Sequence, residues 1–261
     1  MKILLTNDDG IFAEGLKVLK DVLSVNHQVY VVAPDRNRSC VSHGFLMGQK
    51  LKLVEHEKNV YSSEGLPADC TITGLLSDFI PQVDLVISGI NNDSNLGTDI
   101  LYSGTCAGAR QACLFGVPGI AVSISPNPDD SKKQNQYNVL ASFVEKNLRT
   151  LITLCGKRYI SGGENYYENF VNINALSLEK YRGVKITSVA DRNYGDSIRV
   201  EKDKDGNVYT CICGGKVESS GSEDADAFAV AGGYISVCAV KVKPHFYTEE
   251  YKALEDQFIV G

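Results

Sequence analysis

Through the first 154 residues, short apolar runs alternate with longer segments of helical period. Lys2–Thr6, Gln28–Ala33, Val83–Gly89 and Gly119–Ser125 read as buried strands. Glu14–Val25, with Leu16, Leu19, Val22 and Leu23 at mostly helical spacing, reads as the helix after the first strand, and Asp69–Phe79, Thr105–Leu114 and Gln136–Leu154 read as further helices. Residues 35–63 are more irregular and predict a loop and a hairpin. Repeated βα units predict an α/β fold with a doubly wound, mostly parallel sheet.

The texture changes after Cys155. Phe170–Asn174 and Val184–Val189 read as strands, and Ser197–Glu201 and Val208–Cys213 flank the charged hairpin loop Lys202–Asn207. Tyr234–Val242 predicts a last strand, and Thr248–Phe258 a last helix with Tyr251, Leu254 and Phe258 on one face. The expected organisation is a core over residues 1–154 and a β-rich extension over 155–261, with a hairpin that serves as an oligomerisation arm.

Composition narrows the function. The 261 residues carry 26 Lys+Arg against 32 Asp+Glu, a net charge of −6, which speaks against a nucleic-acid binder held by phosphate neutralisation. The N-terminal apolar run is too short for a signal sequence and stops at two acids, and no uncharged apolar stretch is long enough to span a membrane. A cytoplasmic protein is expected, with no membrane or nucleic-acid partner. In that compartment the eight cysteines read as free thiols, mostly small buried hydrophobes.

Candidate chemistry gathers in four oxygen-rich loops, two of which leave the carboxyl end of the first and second strands while a third opens after the Val83–Ile87 run. Asn7-Asp8-Asp9-Gly10 follows the first strand, where open α/β sheets place ligands, and two adjacent carboxylates in a cleft call for a cation such as Mg²⁺. Asp8 as a helix cap with Asp9 solvated is the plainer alternative. Ala33-Pro34-Asp35-Arg36-Asn37-Arg38-Ser39 offers two arginines, for an anion or for salt bridges within the loop, and the Ser39 hydroxyl. Ser88-Gly89-Ile90-Asn91-Asn92-Asp93-Ser94-Asn95-Leu96-Gly97 is richer in Asn than a turn requires. Tyr102-Ser103-Gly104-Thr105 enters a helix and presents hydroxyls, N–H groups and the positive dipole end to an anion, or acts as a simple N-cap. Together the loops point to a metal-assisted phosphate site. No G-x-G-x-x-G, G-x-x-x-x-G-K-[ST], G-x-S-x-G or H-E-x-x-H occurs. The four histidines are scattered, and only His43 lies near the Ser39 loop.

In this order, with Pro67-Ala68-Asp69-Cys70 and the late Gly233-Tyr234-Ile235-Ser236, these motifs resemble the SurE family of metal-dependent 5′-nucleotidases from residue 1 to about residue 240. The resemblance implies a Rossmann-like core, hydrolysis of nucleoside 5′-monophosphates, and a β-rich extension exchanged within a homodimer or homotetramer. It implies one divalent cation per subunit, Mg²⁺ or Mn²⁺, on Asp8, Asp9, Ser39 and Asn91. It also implies a phosphate cradle of Ser103, Gly104 and Thr105, joined by Ser39, Asn91 and Asn95, and a catalytic set of Asp8, Asp9 and Asn95. Attack on phosphorus by a water or by Asp8 both stay open.

The chain departs from the family pattern at Cys40, at Gly44-Phe45-Leu46, at Leu66, at Asp93 and at Cys238-Ala239. None of these removes an expected ligand, but Asp93 adds a negative charge close to Asn91. The neighbouring readings are a phosphatase for 3′-nucleotides, polyphosphate or another small phosphomonoester, and a catalytically silent nucleotide- or metal-binding protein. A phosphoacceptor receiver domain also has paired acids after its first strand, but it is about half this length and lacks the Asn-rich loop.

Overall fold

The computed structural model describes residues 1–128, 136–159 and 165–244. In chain order the elements are β1 (Lys2–Thr6), α1 (Glu14–Ser24), β2 (Gln28–Pro34), β3 (Leu53–Glu57), β4 (Val60–Ser63), α2 (Pro67–Leu76), β5 (Leu85–Asn91), α3 (Gly104–Leu114), β6 (Gly119–Ser125), α4 (Tyr137–Leu154), β7 (Lys157–Tyr159), β8 (Asn165–Tyr167), β9 (Asn169–Leu176), β10 (Val184–Ile186), β11 (Asp191–Asn193), β12 (Ser197–Lys202), β13 (Val208–Cys213), β14 (Glu218–Ser220), α5 (Asp226–Ala231) and β15 (Ile235–Lys241). The expected final helix over Thr248–Phe258, and His245, lie outside the described residues.

Nine strands form one sheet in the order β10-β15-β9-β6-β5-β1-β2-β4-β3. From β9 to β4 all pairings are parallel, while β3 and β15 add antiparallel partners. Residues on both sides of position 154 therefore share this sheet. Burial on both faces explains why the parallel strands read as continuous apolar runs. Ile3, Leu5, Val31 and Ile87 pack with Leu16 and Leu19 of α1 and Leu140 and Val144 of α4. On the opposite face Leu4, Val32 and Val86 pack with Cys70 of α2 and Ala112 of α3. Burying one such Leu or Ile side chain contributes roughly 1.5–3 kcal/mol.

Several boundaries move relative to the sequence reading. Helix α2 starts at Pro67, two residues before the expected Asp69, because Pro suits the first helical position and the Asp69 carboxylate caps the turn by accepting the Leu66 N–H at 2.9 Å. The expected strand over Val184–Val189 pairs only as far as Ile186, and the segment beyond it is drawn off to α5, where the Ser188 carbonyl accepts the Asp226 N–H at 2.9 Å. The irregular 35–63 stretch holds the β3–β4 hairpin, and β4 also pairs in parallel with β2. The hairpin β12–β13 carries its charged loop as expected, with Ser197 opposite Cys213 and Lys202 opposite Val208.

Candidate active site

Strand β1 lies between β5 and β2, and the chain moves away from it in both directions, first to β2 and later to β5 and β6. The carboxyl ends of β1 and β5 thus flank the point where the winding reverses, the usual ligand crevice of an open α/β sheet.

The turn after β1 is fixed by its own side chains. Asn7 is fully buried, donating from Nδ2 to the Gly10 carbonyl at 2.9 Å and accepting the Gly10 N–H on Oδ1 at 3.2 Å. Gly10 has φ +109°, and a Cβ there would lie 3.1 Å from the Arg36 carbonyl carbon, so the turn requires glycine. The Arg38 N–H donates to the Asp8 carbonyl at 2.6 Å, which draws the Ser39 loop to the end of β1. The Asn92 N–H donates to Asp9 Oδ2 at 3.0 Å, which ties the β5 loop to the same place.

Asp8 is only 3 % exposed. The N-terminus of α3 abuts it: the Thr105 N–H donates to Oδ2 at 3.2 Å and the Thr105 hydroxyl donates to Oδ1. Burial nevertheless pushes the Asp8 carboxyl up to about 6, with the Asp9 charge adding to the shift and the Thr105 bonds opposing it. Asp9 is raised too, by burial first and by the Asp93 charge as well. Among the described residues no salt bridge reaches either acid. Two neighbouring carboxylates, Asp8 buried and Asp9 half-buried, without a counter-charge fit a cation. No group of three His, Cys, Asp or Glu that could hold a metal ion is found among the described residues, so a cation on this pair would need neutral oxygens as further ligands. Asn91 suits that role: its Nδ2 donates to the Asp93 carbonyl at 2.8 Å, which turns the amide so that Oδ1 is the available atom. Ser39 is exposed, with its N–H on Asn37 Oδ1 at 3.0 Å.

At the entry of α3, Ser103 caps the helix by accepting the Cys106 N–H at 3.0 Å. Gly104 lies so close to Asp8 that a Cβ would stand 2.9 Å from Asp8 Cβ.

Residues 3–196 match the family model of survival protein SurE. The chain belongs to the SurE family. A 5′-nucleotidase SurE from Alkaliphilus metalliredigens is 36% identical over 98% of this chain and 96% of that protein. One from Geotalea uraniireducens is 38% identical over 91% of each chain. The crystal structure of SurE protein from Aquifex aeolicus superposes with a TM-score of 0.79 at 30% identity, covering 98% of this chain and all of that one.

Within the SurE fold of this chain, Asp8, Asp9, Asn91, Ser103, Gly104 and Thr105 meet at the crevice, and the Ser39 loop borders it. Asn95 belongs to the same end of the sheet, but its side chain turns inward to Ser123 Oγ at 2.8 Å. Both loop arginines serve the loop: Arg36 and Arg38 pair with Asp35 at 3.0 and 3.5 Å, and Arg38 also donates to the Glu64 carbonyl. His43 Nε2 is 2.8 Å from Gln111 Oε1 and fastens the following loop to α3. Three polar residues beneath the site were missed by the sequence reading: Ser123, Asn172 and Asn174, all fully buried. Their signal was present, since Asn at alternate positions of an apolar strand is anomalous unless a polar network uses it.

Proposed function

We propose that this SurE-family chain is a phosphomonoesterase that hydrolyses nucleoside 5′-monophosphates to nucleoside and phosphate, with one Mg²⁺ or Mn²⁺ on Asp8, Asp9, Ser39 and Asn91. The observation that carries this reading is the Asp8–Asp9 pair, with Asp8 buried, Asp9 half-buried and neither met by a salt bridge among the described residues, facing a helix N-terminus at the winding reversal. The names of the relatives support the substrate class. When bound, the divalent cation supplies charge neutralisation and Lewis-acid polarisation of a phosphoryl oxygen.

The chain's own groups do the rest. The α3 N-terminus offers the Gly104 N–H and the Ser103 hydroxyl to the equatorial phosphoryl oxygens, where charge builds in the transition state. Asp8 has both carboxylate oxygens engaged by Thr105, which holds its orientation and lowers its nucleophilicity. That favours water as the attacking group over an aspartyl-phosphate intermediate. Asn95 donates one amide N–H to Ser123 Oγ and keeps the second as a donor to the phosphoryl group.

The hairpin β12–β13 supports self-association. Its two strands are exposed almost throughout, and Ile198, Val200, Val208 and Ile212 share one face. An isolated hairpin with an apolar face is stable only when covered, and a second copy of the chain is the proposed cover. No helix among the described residues is long and apolar enough to cross a membrane.

The test is phosphate release from nucleoside 5′- and 3′-monophosphates and polyphosphate with Mg²⁺, with Mn²⁺ and with chelator. Metal-dependent release from 5′-monophosphates is the expected result; release only from 3′-monophosphates or polyphosphate reassigns the substrate. No release under any condition turns the reading to a silent binding protein.

A further inference from the structure

Four hydrogen bonds converge on one residue at the edge of the crevice. The Asn95 N–H donates to Asn174 Oδ1 at 2.7 Å, and the Asn95 carbonyl accepts from Asn172 Nδ2 at 2.8 Å and from Asn174 Nδ2 at 3.1 Å. Its side-chain amide donates to Ser123 Oγ at 2.8 Å. The remaining acceptor of the network, Asn172 Oδ1, takes the Cys106 thiol of α3 at 3.6 Å.

These partners stand in the middle of the sheet, where polar groups are expensive. Asn172 and Asn174 alternate with Val171 and Ile173 on β9, and Ser123 lies in β6 directly between Asn91 of β5 and Asn174. All three are completely buried. A β-branched apolar residue would satisfy the strand at each place, and a buried amide is tolerated only when its hydrogen bonds are made. Here they are made almost wholly to Asn95, through both its peptide and its side chain.

We infer that Ser123, Asn172 and Asn174 are positioning residues: a buried polar cradle that fixes the Asn95 amide beside Asn91, so that its second N–H is presented to the phosphoryl group without reorganisation. The inference rests on the assignment of Asn95 to the site. A preorganised donor stabilises transition-state charge more than a freely rotating one, so loss of the cradle acts on kcat more than on KM. Cys106 extends the same network into α3, the helix whose first turn meets Asp8.

Ser123→Ala is the cleanest probe, because alanine fits the strand and removes only the acceptor of the Asn95 side chain. Asn174→Ser is the second, and melting temperatures check that both variants fold. With a nucleoside 5′-monophosphate and Mn²⁺, Ser123→Ala is expected to lower kcat about tenfold, the scale of one lost hydrogen bond, with little change in KM. Mn²⁺ affinity, measured by titration without substrate, is expected to stay within twofold, because the cradle touches none of the proposed ligands except along the sheet backbone. In an Asn95→Ala background, Ser123→Ala is expected to cost less than a further twofold, since residues acting through one another are non-additive. Equal losses in both backgrounds would indicate a merely structural role and overturn the inference, as would an unchanged kcat in Ser123→Ala when Asn95→Ala is impaired. If Asn95→Ala itself turns over normally, the assignment of Asn95 falls first and the cradle's role falls with it.

Discussion

Gly104 and Asp8 are in closer contact than any other side chain at position 104 would allow: a Cβ would meet Asp8 Cβ at 2.9 Å, Asp8 Oδ2 at 3.0 Å and Pro67 Cγ at 3.0 Å. The approach lets the Thr105 N–H in the first turn of α3 reach the Asp8 carboxylate, and α2, α3 and the β1 turn are packed around it. Gly104→Ala must therefore displace Asp8 or the helix. We expect turnover to fall by about 10²-fold or more, the scale of a misplaced reacting group, while the overpacking costs about 1–3 kcal/mol. A folded variant with full activity, measured by phosphate release and thermal melting, would show that the contact is not used.

Asp8 weakens the fold that it serves. Its carboxyl is raised from 3.8 to about 6, chiefly by burial. Below about pH 3 it is protonated in both native and unfolded chains, and its burial costs little. As pH rises to 6 the unfolded chain ionises first, so the metal-free protein loses stability, and above pH 6 the loss is complete. Asp8→Asn removes this penalty while giving up one of the acceptors of Thr105. The metal-free variant is expected to be about 1–2 kcal/mol more stable than the parent at pH 7 and no more stable at about pH 3. Its turnover is expected to drop by at least about 10³-fold, a trade of activity against stability measured by melting curves and rates on the same preparations.

Divalent metal should act on folding through the same groups. A ligand that binds only the native state at 100 times its Kd stabilises by about 2.7 kcal/mol, which for a chain of this size raises Tm by roughly 5–10 °C. Mn²⁺ is expected to produce such a shift, chelator to reverse it, and Asp9→Asn to abolish it. Asn91→Ala is expected to weaken the response at least tenfold in metal concentration, because it removes the amide oxygen that the Asp93 carbonyl orients. An identical metal response in parent and Asp9→Asn would move the cation elsewhere.

The parallel core and three of the four loops were readable because their signals are local: a buried strand writes a continuous apolar run, and a loop at its carboxyl end writes its oxygen donors next to it. Asp8 and Asp9 are of this kind. Strand order is not local, so nothing in the chain announced that β9 closes on β6 or that β4 pairs with both β2 and β3. The cradle under Asn95 was hidden for the same reason: Asn172 lies 77 positions away from the residue it holds. The start of α2 was misread for a local reason, since Pro67 and Asp69 signal an entry turn rather than helix propensity.

The arm can be excised where its two stems meet. The Gly215 N–H donates to the Tyr194 carbonyl at 2.8 Å, so a deletion of 196–214, which joins Gly195 to Gly215, closes the chain where the two stems already meet. The shortened protein is expected to elute as a monomer from a sizing column and the parent as a dimer or tetramer. An unchanged elution volume relative to mass would place the self-association surface elsewhere.

Strand β9 also decides how the molecule can be divided. It covers β6 from Ile120 to Ser125, and those six residues, Ile-Ala-Val-Ser-Ile-Ser, contain no charge and no proline. A fragment ending at Leu154 would keep every acidic and hydroxyl group of the proposed crevice and yet present that stretch as a bare sheet margin, the kind of template on which chains stack on one another. The candidate loops are thus not a transplantable cassette: the later part of the chain covers a margin that the earlier part alone would leave open to stacking.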